Sequence, residues 1–235
     1  MTLDFNRFSY LCFDCYGTLI DWETGLSSSL NSIFRAHGAD IAHDDLLESY
    51  GSLEAEVEAG PFLSYREVMK SVLCKLGEIH GFEPAAEELE AFPDSIRHWP
   101  AFPDSTEALQ VLASRYSLVI LSNIDDDLFR FSQDVLGIRF DHVFTAQQIG
   151  SYKPSRRNFD YLIDQLGVPR EEILHVAQSL FHDIAPAGNA GLSTVWVNRR
   201  QGLEGSGATP EAEAVPDMEI PDLKSLALMA GAIDG

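Results

Sequence analysis

The chain has 235 residues, of which 45% are hydrophobic, enough for one large domain or for a core with a smaller inserted domain. Its 37 acidic and 16 basic residues give a formal charge of -21, which disfavours nucleic acid and anionic membrane surfaces as partners. The sequence contains no run of about 20 apolar residues and no signal-like start, so we expect a cytoplasmic protein that does not cross a membrane.

The first predicted element is a buried strand over Tyr10–Phe13, which stops at Asp14 and turns at once through Gly17. Cys12 and Cys15 form a C-x-x-C pair at this strand end, and the chain has three cysteines in all. Redox pairs of this kind usually open a helix, so the pattern favours simple packing over redox chemistry.

The periodicity then becomes helical throughout residues 21–97. We interpret this segment as a helical cap domain inserted after the first strand, with residues 1–20 and 98–235 forming an α/β core domain. The helices predicted in the cap are Leu26–His37, Asp44–Glu58, Tyr65–Leu76 and Glu87–Ile96.

The remaining chain alternates short apolar runs with amphipathic segments, which predicts a doubly wound parallel sheet of the α/β class. After residue 199 we expect a loop rich in Gly and Pro, and then a short helix from about Pro221. The predicted strands are Leu118–Leu121, His142–Phe144, Ile173–Val176 and Ser193–Val197, and the predicted helices are Ser105–Ser114, Asp126–Leu136, Asn158–Leu166 and a segment after His182.

Polar residues follow several of these strands. Asp14 ends the first strand, Ser122 and Asn123 end the second, Asp183 follows the strand from residue 173, and Lys153 lies in a loop before a helix. Each has an ordinary structural explanation as a turn former, a helix cap or a solvated cation. Ligands bind beyond the carboxyl ends of strands in open α/β sheets, so together these residues predict one functional site.

Four stretches, "FDCYGTLID", "LVILSN", "GSYKP" and "HVAQSLFHDIAPAGNAGLSTVWVNR", resemble in order the four motifs of the haloacid dehalogenase superfamily. The resemblance covers nearly the whole chain. Most superfamily members are Mg²⁺-dependent phosphatases with a first motif D-x-D-G-T, but here Tyr16 replaces the second Asp, and a phenol is a poor proton carrier near neutrality. Ala177 and Gln178 replace the Gly-Asp of the last motif, so Mg²⁺, which is held mainly by carboxylates, should bind weakly or not at all.

These departures are similar to the L-2-haloacid dehalogenase branch, and the resemblance implies a hydrolase that needs no cofactor and acts on a small carboxylated substrate. It implies that Asp14 attacks C2 of a 2-haloalkanoate and forms an ester that water then hydrolyses. Lys153 would keep Asp14 ionised, and Asp183 would orient Lys153 and place the water. Thr18 and Ser122 complete the implied catalytic set, and the implied substrate-binding residues are Cys15, Tyr16, Asn123, Gln178 and Ser179. Family members are often homodimers, so a homodimer is an open expectation.

The chain also departs from that branch. Family members carry a cap Arg near the leaving halide, whereas residues 36–65 contain no Arg or Lys, which leaves Tyr50, Arg66 or an Asn as other candidate donors. Three further positions differ, with Phe159, Gln178 and Leu180 in place of the family's Tyr, Ser and Asn.

His182 adjoins Asp183, but adjacent helical residues do not share a face, so we expect it behind the site or at the surface. The other histidines show no metal-ligand spacing such as H-E-x-x-H, so the sequence does not predict a zinc site. Four aromatic residues are expected to be core between the domains rather than a wall above Asp14. They are Phe62, Tyr65, Trp99 and Phe102.

Two other functions stay open from the sequence. A phosphatase acting on a small organic phosphate would require Mg²⁺ and would gain activity from Tyr16→Asp. A binding or regulatory protein would keep the fold without the chemistry, and Asp14→Asn would leave its effect unchanged.

Overall fold

The computed structural model describes residues 3–202, 207–209 and 212–232. Its centre is a six-stranded parallel sheet with the strand order β3-β2-β1-β4-β5-β6. The strands are β1 (Tyr10–Phe13), β2 (Ser117–Ser122), β3 (His142–Thr145), β4 (Ile173–Ala177), β5 (Ser193–Val197) and β6 (Met218–Ile220).

The sheet confirms the predicted doubly wound parallel class. The chain runs from β1 outward through β2 and β3, then returns to place β4 on the other side of β1. This reversal opens a crevice at the carboxyl ends of β1, β2 and β4, where ligands bind in such sheets. The three strands are almost wholly buried, which explains why their sequences are continuous apolar runs.

Residues 22–98, here called the insert, are helical as predicted. The helix α3 begins after Ser64, whose side chain accepts a hydrogen bond from the backbone N–H of Glu67, and ends at Gly81 with φ of 77°. The division into a core and a cap domain at residues 20 and 98 stays a prediction. The helices of the insert are α1 (Trp22–Ala36), α2 (His43–Glu58), α3 (Tyr65–His80) and α4 (Ala86–Asp94).

The buried carboxylate of Asp125 joins the insert to the end of β2. It accepts hydrogen bonds from the backbone N–H groups of Tyr65 and Arg66, at 3.0 Å each. These two donors lie in the first turn of α3 and have no partner inside the helix, so a carboxylate there stabilises the helix end. α3 is thereby positioned directly above the strand ends.

The helices outside the insert cover the two faces of the sheet. The sequence located most of them, but it missed β6, which falls within the predicted loop, and it began the last helix two residues early. No helix in the described part of the chain is long and apolar enough to span a bilayer. The helices are α5 (Ser105–Leu112), α6 (Asp126–Leu136), α7 (Ala146–Ile149), α8 (Arg156–Leu166), α9 (Ala185–Asn189) and α10 (Leu223–Met229).

Candidate active site

The turn after β1 is held by backbone hydrogen bonds and by one glycine. The carbonyl oxygen of Cys15 accepts from the N–H groups of Leu19 and Ile20, at 2.7 and 3.0 Å. Gly17 has φ of 87°, and a Cβ there would lie 3.1 Å from Nε1 of Trp22. A side chain at this position would be both strained and crowded, which is why the chain turns through glycine directly after the strand.

Asp14 lies at the carboxyl end of β1 and is 7% exposed. Its Oδ2 accepts a hydrogen bond from the hydroxyl of Thr18 at 2.8 Å, and that hydroxyl accepts from the backbone N–H of Gln178 at 2.9 Å. Thr18 therefore links the end of β4 to the carboxylate and fixes its orientation.

Lys153 connects the two buried aspartates. Its Nζ donates to Oδ1 of Asp14 at 2.8 Å, to Oδ1 of Asp183 at 2.8 Å and to the carbonyl oxygen of Leu121 at 2.9 Å. All three ammonium donors are satisfied, as a 2% exposed lysine requires.

Asn123 holds the loop that carries this lysine. Its Oδ1 accepts from the backbone N–H of Lys153 at 2.7 Å, and its Nδ2 donates to the carbonyl oxygen of Lys153 at 3.0 Å. The pair of bonds fixes the backbone of Lys153 beside β2, so Asn123 acts on the site through the lysine.

Asp183 lies in a π-helical turn, Leu180–Ile184, after β4. Its Oδ1 also contacts Nε2 of the buried His175 at 2.8 Å. Among the described residues, no hydrogen-bond partner lies near the buried Oδ2 atom of Asp183. That oxygen is left to accept a hydrogen bond from a molecule in the cavity.

Burial and mutual charge shift the pKa values of Lys153, Asp14 and Asp183. Burial alone would lower the pKa of Lys153, but the two carboxylates raise it above its ordinary value, so the ammonium stays charged. Burial alone would raise the pKa of Asp183, but Lys153 and His175 offset this and lower it to about 2. Burial raises the pKa of Asp14, while the ammonium and the hydroxyl of Thr18 favour its ionised form.

A cavity of about 50 Å³ lies above these groups and has room for a small molecule. Eight of the ten predicted site residues line it: Asp14, Tyr16, Ser122, Asn123, Lys153, Gln178, Ser179 and Asp183. Thr18 lies behind Asp14. Cys15 does not line the cavity and is fully buried in the turn, and it and Cys12 are both free thiols.

Ser122 lines this cavity, and its hydroxyl is buried. The residue is 2% exposed, and the described part of the chain supplies no hydrogen-bond partner for its Oγ. A buried hydroxyl without a partner is costly, so this atom also points to a polar ligand in the cavity.

The roof of the cavity comes from the insert, and the sequence analysis missed most of it. Trp22 of α1, Glu54 and Glu58 of α2, and Tyr65 of α3 line the cavity. The hydroxyl of Tyr65 donates to Oε1 of Glu54 at 2.7 Å. The sequence contained one indication that these glutamates face inward. Glu54 and Glu58 follow the buried Tyr50 at intervals of four residues and so lie on the same face of the helix.

His182 was wrongly expected behind the site or at the surface, because the turn that carries it is not a regular helix. It lines the cavity, and its backbone N–H donates to Oγ of Ser179 at 2.8 Å. Burial lowers the pKa of His182 to about 4, so the imidazole is neutral at neutral pH.

Three of the four aromatic residues do not line this cavity, as expected, but Phe62 is 41% exposed and Phe102 is half-buried, so only Trp99 of the three is core. Trp99 is 1% exposed core, and Phe62 stacks on Tyr152 at the surface. Phe102 lies beneath the guanidinium of Arg199. Tyr65 is the exception.

The proposed substitutes for the family's cap Arg do not reach the cavity, apart from Asn123. Tyr50 is fully buried and is not part of the lining. Arg66 forms ion pairs with Asp94 and Asp127 outside it.

The donor set does not fit a magnesium ion. The ammonium of Lys153 occupies the position between Asp14 and Asp183 and bonds to one oxygen of each. Tyr16 and Gln178 supply no charge where a phosphatase has carboxylates, and the phenol of Tyr16 is engaged with Ser132 at 2.8 Å. In the described residues, no group of three or more His, Cys, Asp or Glu side chains could hold a metal.

The fold and this site define an α/β enzyme whose buried Asp-Lys-Asp cluster lies at the switch point of a parallel sheet. The family model described as haloacid dehalogenase-like hydrolase matches residues 8–191. The chain therefore belongs to the haloacid dehalogenase-like hydrolases, as the sequence motifs predicted.

Individual relatives have two kinds of named activity. An (S)-2-haloacid dehalogenase of Burkholderia cepacia is 25% identical over 210 residues, which cover 87% of this chain and 86% of that protein. A phosphoserine phosphatase of Thermus thermophilus is 32% identical over 177 residues, covering 72% and 66%. Among solved structures, the chain superposes on the L-2-haloacid dehalogenase of Xanthobacter autotrophicus with chloropropionic acid covalently bound, with a TM-score of 0.79 and 21% identity. The match covers 97% of this chain and 100% of that one, which supports the shared fold.

Proposed function

We propose that the protein is a metal-independent hydrolase that displaces halide from a small 2-haloalkanoic acid, with Asp14 as the covalent nucleophile. The observation that carries this proposal is the ammonium of Lys153, bonded at 2.8 Å to both Asp14 and Asp183. Tyr16 and Gln178 replace the acidic residues that support the metal in phosphatases of this superfamily, which leaves the ammonium of Lys153 as the cation beside Asp14. The relatives named as 2-haloacid dehalogenases support the substrate class.

In the first step a carboxylate oxygen of Asp14 attacks C2 of the substrate. The C–O bond forms as the carbon–halogen bond breaks, and the electron pair leaves with the halide. Lys153 keeps the attacking group ionised. The free hydroxyl of Ser122 and backbone N–H groups near Tyr16 and Asn123 are available to hold the substrate carboxylate.

In the second step water attacks Cγ of the Asp14 ester. The bond between Cγ and the alkoxy oxygen breaks, the 2-hydroxy acid leaves, and one proton is released to solvent. Oδ2 of Asp183, which has no partner in the described structure, is available to orient this water. Lys153 bonds to the other oxygen of Asp183 and so fixes the orientation of that carboxylate.

The second candidate is a phosphatase, which the relationship to the Thermus phosphatase favours. It would need a proton donor at the position of Tyr16. Burial raises the pKa of Tyr16 well above its ordinary value, so the phenol cannot carry a proton back and forth near neutrality. The haloacid reaction does not require that step.

The test is release of halide from 2-chloro-, 2-bromo- and fluoroacetate, with and without EDTA. We expect halide release that EDTA does not reduce and that Asp14→Asn abolishes. Phosphate release that depends on Mg²⁺, without halide release, would favour the phosphatase. A single turnover in ¹⁸O-labelled water with excess enzyme should label the Asp14 carboxylate, whereas label only in the product would exclude the ester.

A further inference from the structure

The roof of the cavity carries two carboxyl groups, and residues 36–65 of the insert contain no Arg or Lys. Glu54 and Glu58 lie four residues apart on α2, so both side chains project from one face of the helix. Oε2 of Glu58 lies 3.4 Å from Nδ2 of Asn123, which places it next to the loop of Lys153. Glu54 is 8% exposed.

The direction of the displacement brings the leaving atom to this roof. In a displacement at carbon, the leaving group departs on the side opposite the nucleophile. Asp14 lies at the strand ends that form the floor, so the leaving atom points away from the sheet and towards the insert. The side chains of the insert that line the cavity there are Trp22, Glu54, Glu58 and Tyr65, and the two carboxyls are the charged groups among them.

Ionised carboxylates in that position would oppose the reaction, because a developing anion is repelled by fixed negative charge. A neutral carboxyl has the opposite effect, since its O–H donates a hydrogen bond. Burial raises the pKa of Glu54 to about 7, and burial and the charge of Glu54 raise the pKa of Glu58 well above its ordinary value. The other titratable side chains around the pair are Tyr50, Tyr65, Asp125, Tyr152, Lys153, Asp14, His182 and Asp183.

On the basis of the proposed displacement by Asp14, we propose that Glu54 and Glu58 together hold at least one proton and that the protonated carboxyl donates a hydrogen bond from its O–H to the departing halide. This O–H supplies a hydrogen-bond donor near the leaving halide, as the cap Arg does in the family that the sequence resembles. The proton stays on the carboxyl pair while the halide leaves as the anion, so the overall balance is that of the two steps above.

The first test is the pH dependence of halide release. When one protonated group is essential, kcat falls about ten-fold per pH unit above its midpoint, and we expect that midpoint at or above pH 7. Glu58→Gln keeps an N–H donor at every pH and should make this alkaline decline shallower, because only Glu54 still ionises. Glu54→Gln removes a neighbouring charge and should move the midpoint of Glu58 to lower pH. Glu48→Gln, the same change at an exposed position of α2, should reproduce the wild-type profile.

The second test needs no turnover. Bromide binding, followed by NMR line broadening of the ion, should weaken at least about ten-fold from pH 6 to pH 9 in the wild type. It should weaken less over the same range in Glu58→Gln, where only Glu54 ionises. An unchanged alkaline decline in both Gln variants, or bromide binding that strengthens with pH, would overturn the inference. If bromide binding weakens with pH as expected but no 2-haloacid yields halide, the protonated carboxyl of Glu54 or Glu58 is still the group that binds the anion, and the proposed substrate is wrong.

Discussion

Replacing Glu54 by glutamine should stabilise the folded protein, and the gain should grow with pH. The pKa of this buried carboxyl is raised from 4.5 to about 7, chiefly by burial. Each pKa unit corresponds to about 1.4 kcal/mol, so ionisation of Glu54 costs the folded state about 3 kcal/mol. Glutamine cannot ionise, and its carbonyl oxygen can still accept the hydrogen bond from Tyr65.

The free energy of unfolding depends on pH because the folded and unfolded states bind this proton with different pKa values. Below pH 4.5 the carboxyl is neutral in both states and the pH dependence vanishes. Between pH 4.5 and about 7 the unfolded chain loses the proton while the folded protein keeps it, so the free energy of unfolding falls as pH rises. The variant escapes this loss, which should amount to about 1 kcal/mol at pH 5.5 and about 3 kcal/mol at pH 9.

Urea unfolding of the wild type and of Glu54→Gln at pH 5.5, 7 and 9 measures this difference, provided that both give the same m-value. The exposed control Glu48→Gln should change the free energy of unfolding by no more than about 0.5 kcal/mol at each pH. A constant difference between Glu54→Gln and wild type across the pH range would mean that Glu54 is not neutral in the folded protein. That result would also remove the basis for a protonated carboxyl in the roof.

Two further changes probe the floor of the cavity. Lys153→Met leaves two buried carboxylates without their cation, so the free energy of unfolding in urea should fall by about 3–5 kcal/mol. Halide release should fall at least about 10²-fold. Lys75→Met, at the surface, should have neither effect. Gly17→Ala should lower both stability, by more than about 1 kcal/mol, and halide release, because its Cβ would press on Trp22 and Gln178. Gly38 also has a positive φ, 69°, but open space around the Cβ, so Gly38→Ala should lower stability alone. Equal loss of activity in both variants would contradict a specific role for the turn.

The sheet was predictable because its signals are local. The fully buried strands give continuous apolar runs, so β1 and β5 were predicted to the residue, and the strong amphipathic pattern of α6 gave both of its ends. β6 has three residues, too few for a pattern to rise above the loop around it. The polar residues at the strand ends were predictable for a second reason, because parallel topology brings distant strand ends to one edge.

The roof was not predictable in the same way, because it depends on which face of a surface helix turns towards the sheet. The sequence of α2 is strongly acidic, and such a helix usually places its charges in water. What turns Glu54 inward is tertiary: the hydroxyl of Tyr65 bonds to it, and the first turn of α3 is itself fixed by Asp125 from the end of β2. His182 was misplaced for a related reason, since a single π-helical turn changes which residues share a face.

The floor and the roof of the cavity therefore carry separate parts of the chemistry. The floor matches what the motifs predict for the family, with the charge of Lys153 balanced between two carboxylates. The roof presents two further carboxyl groups, Glu54 and Glu58, and no cation of the insert lines the cavity in the described part of the chain. A site with four carboxyl groups and one ammonium can accept a further anion only if protons neutralise part of that charge. Proton binding by Glu54 and Glu58 and the rate of halide release should then share one midpoint in pH, and separate midpoints would show that the leaving atom does not meet α2.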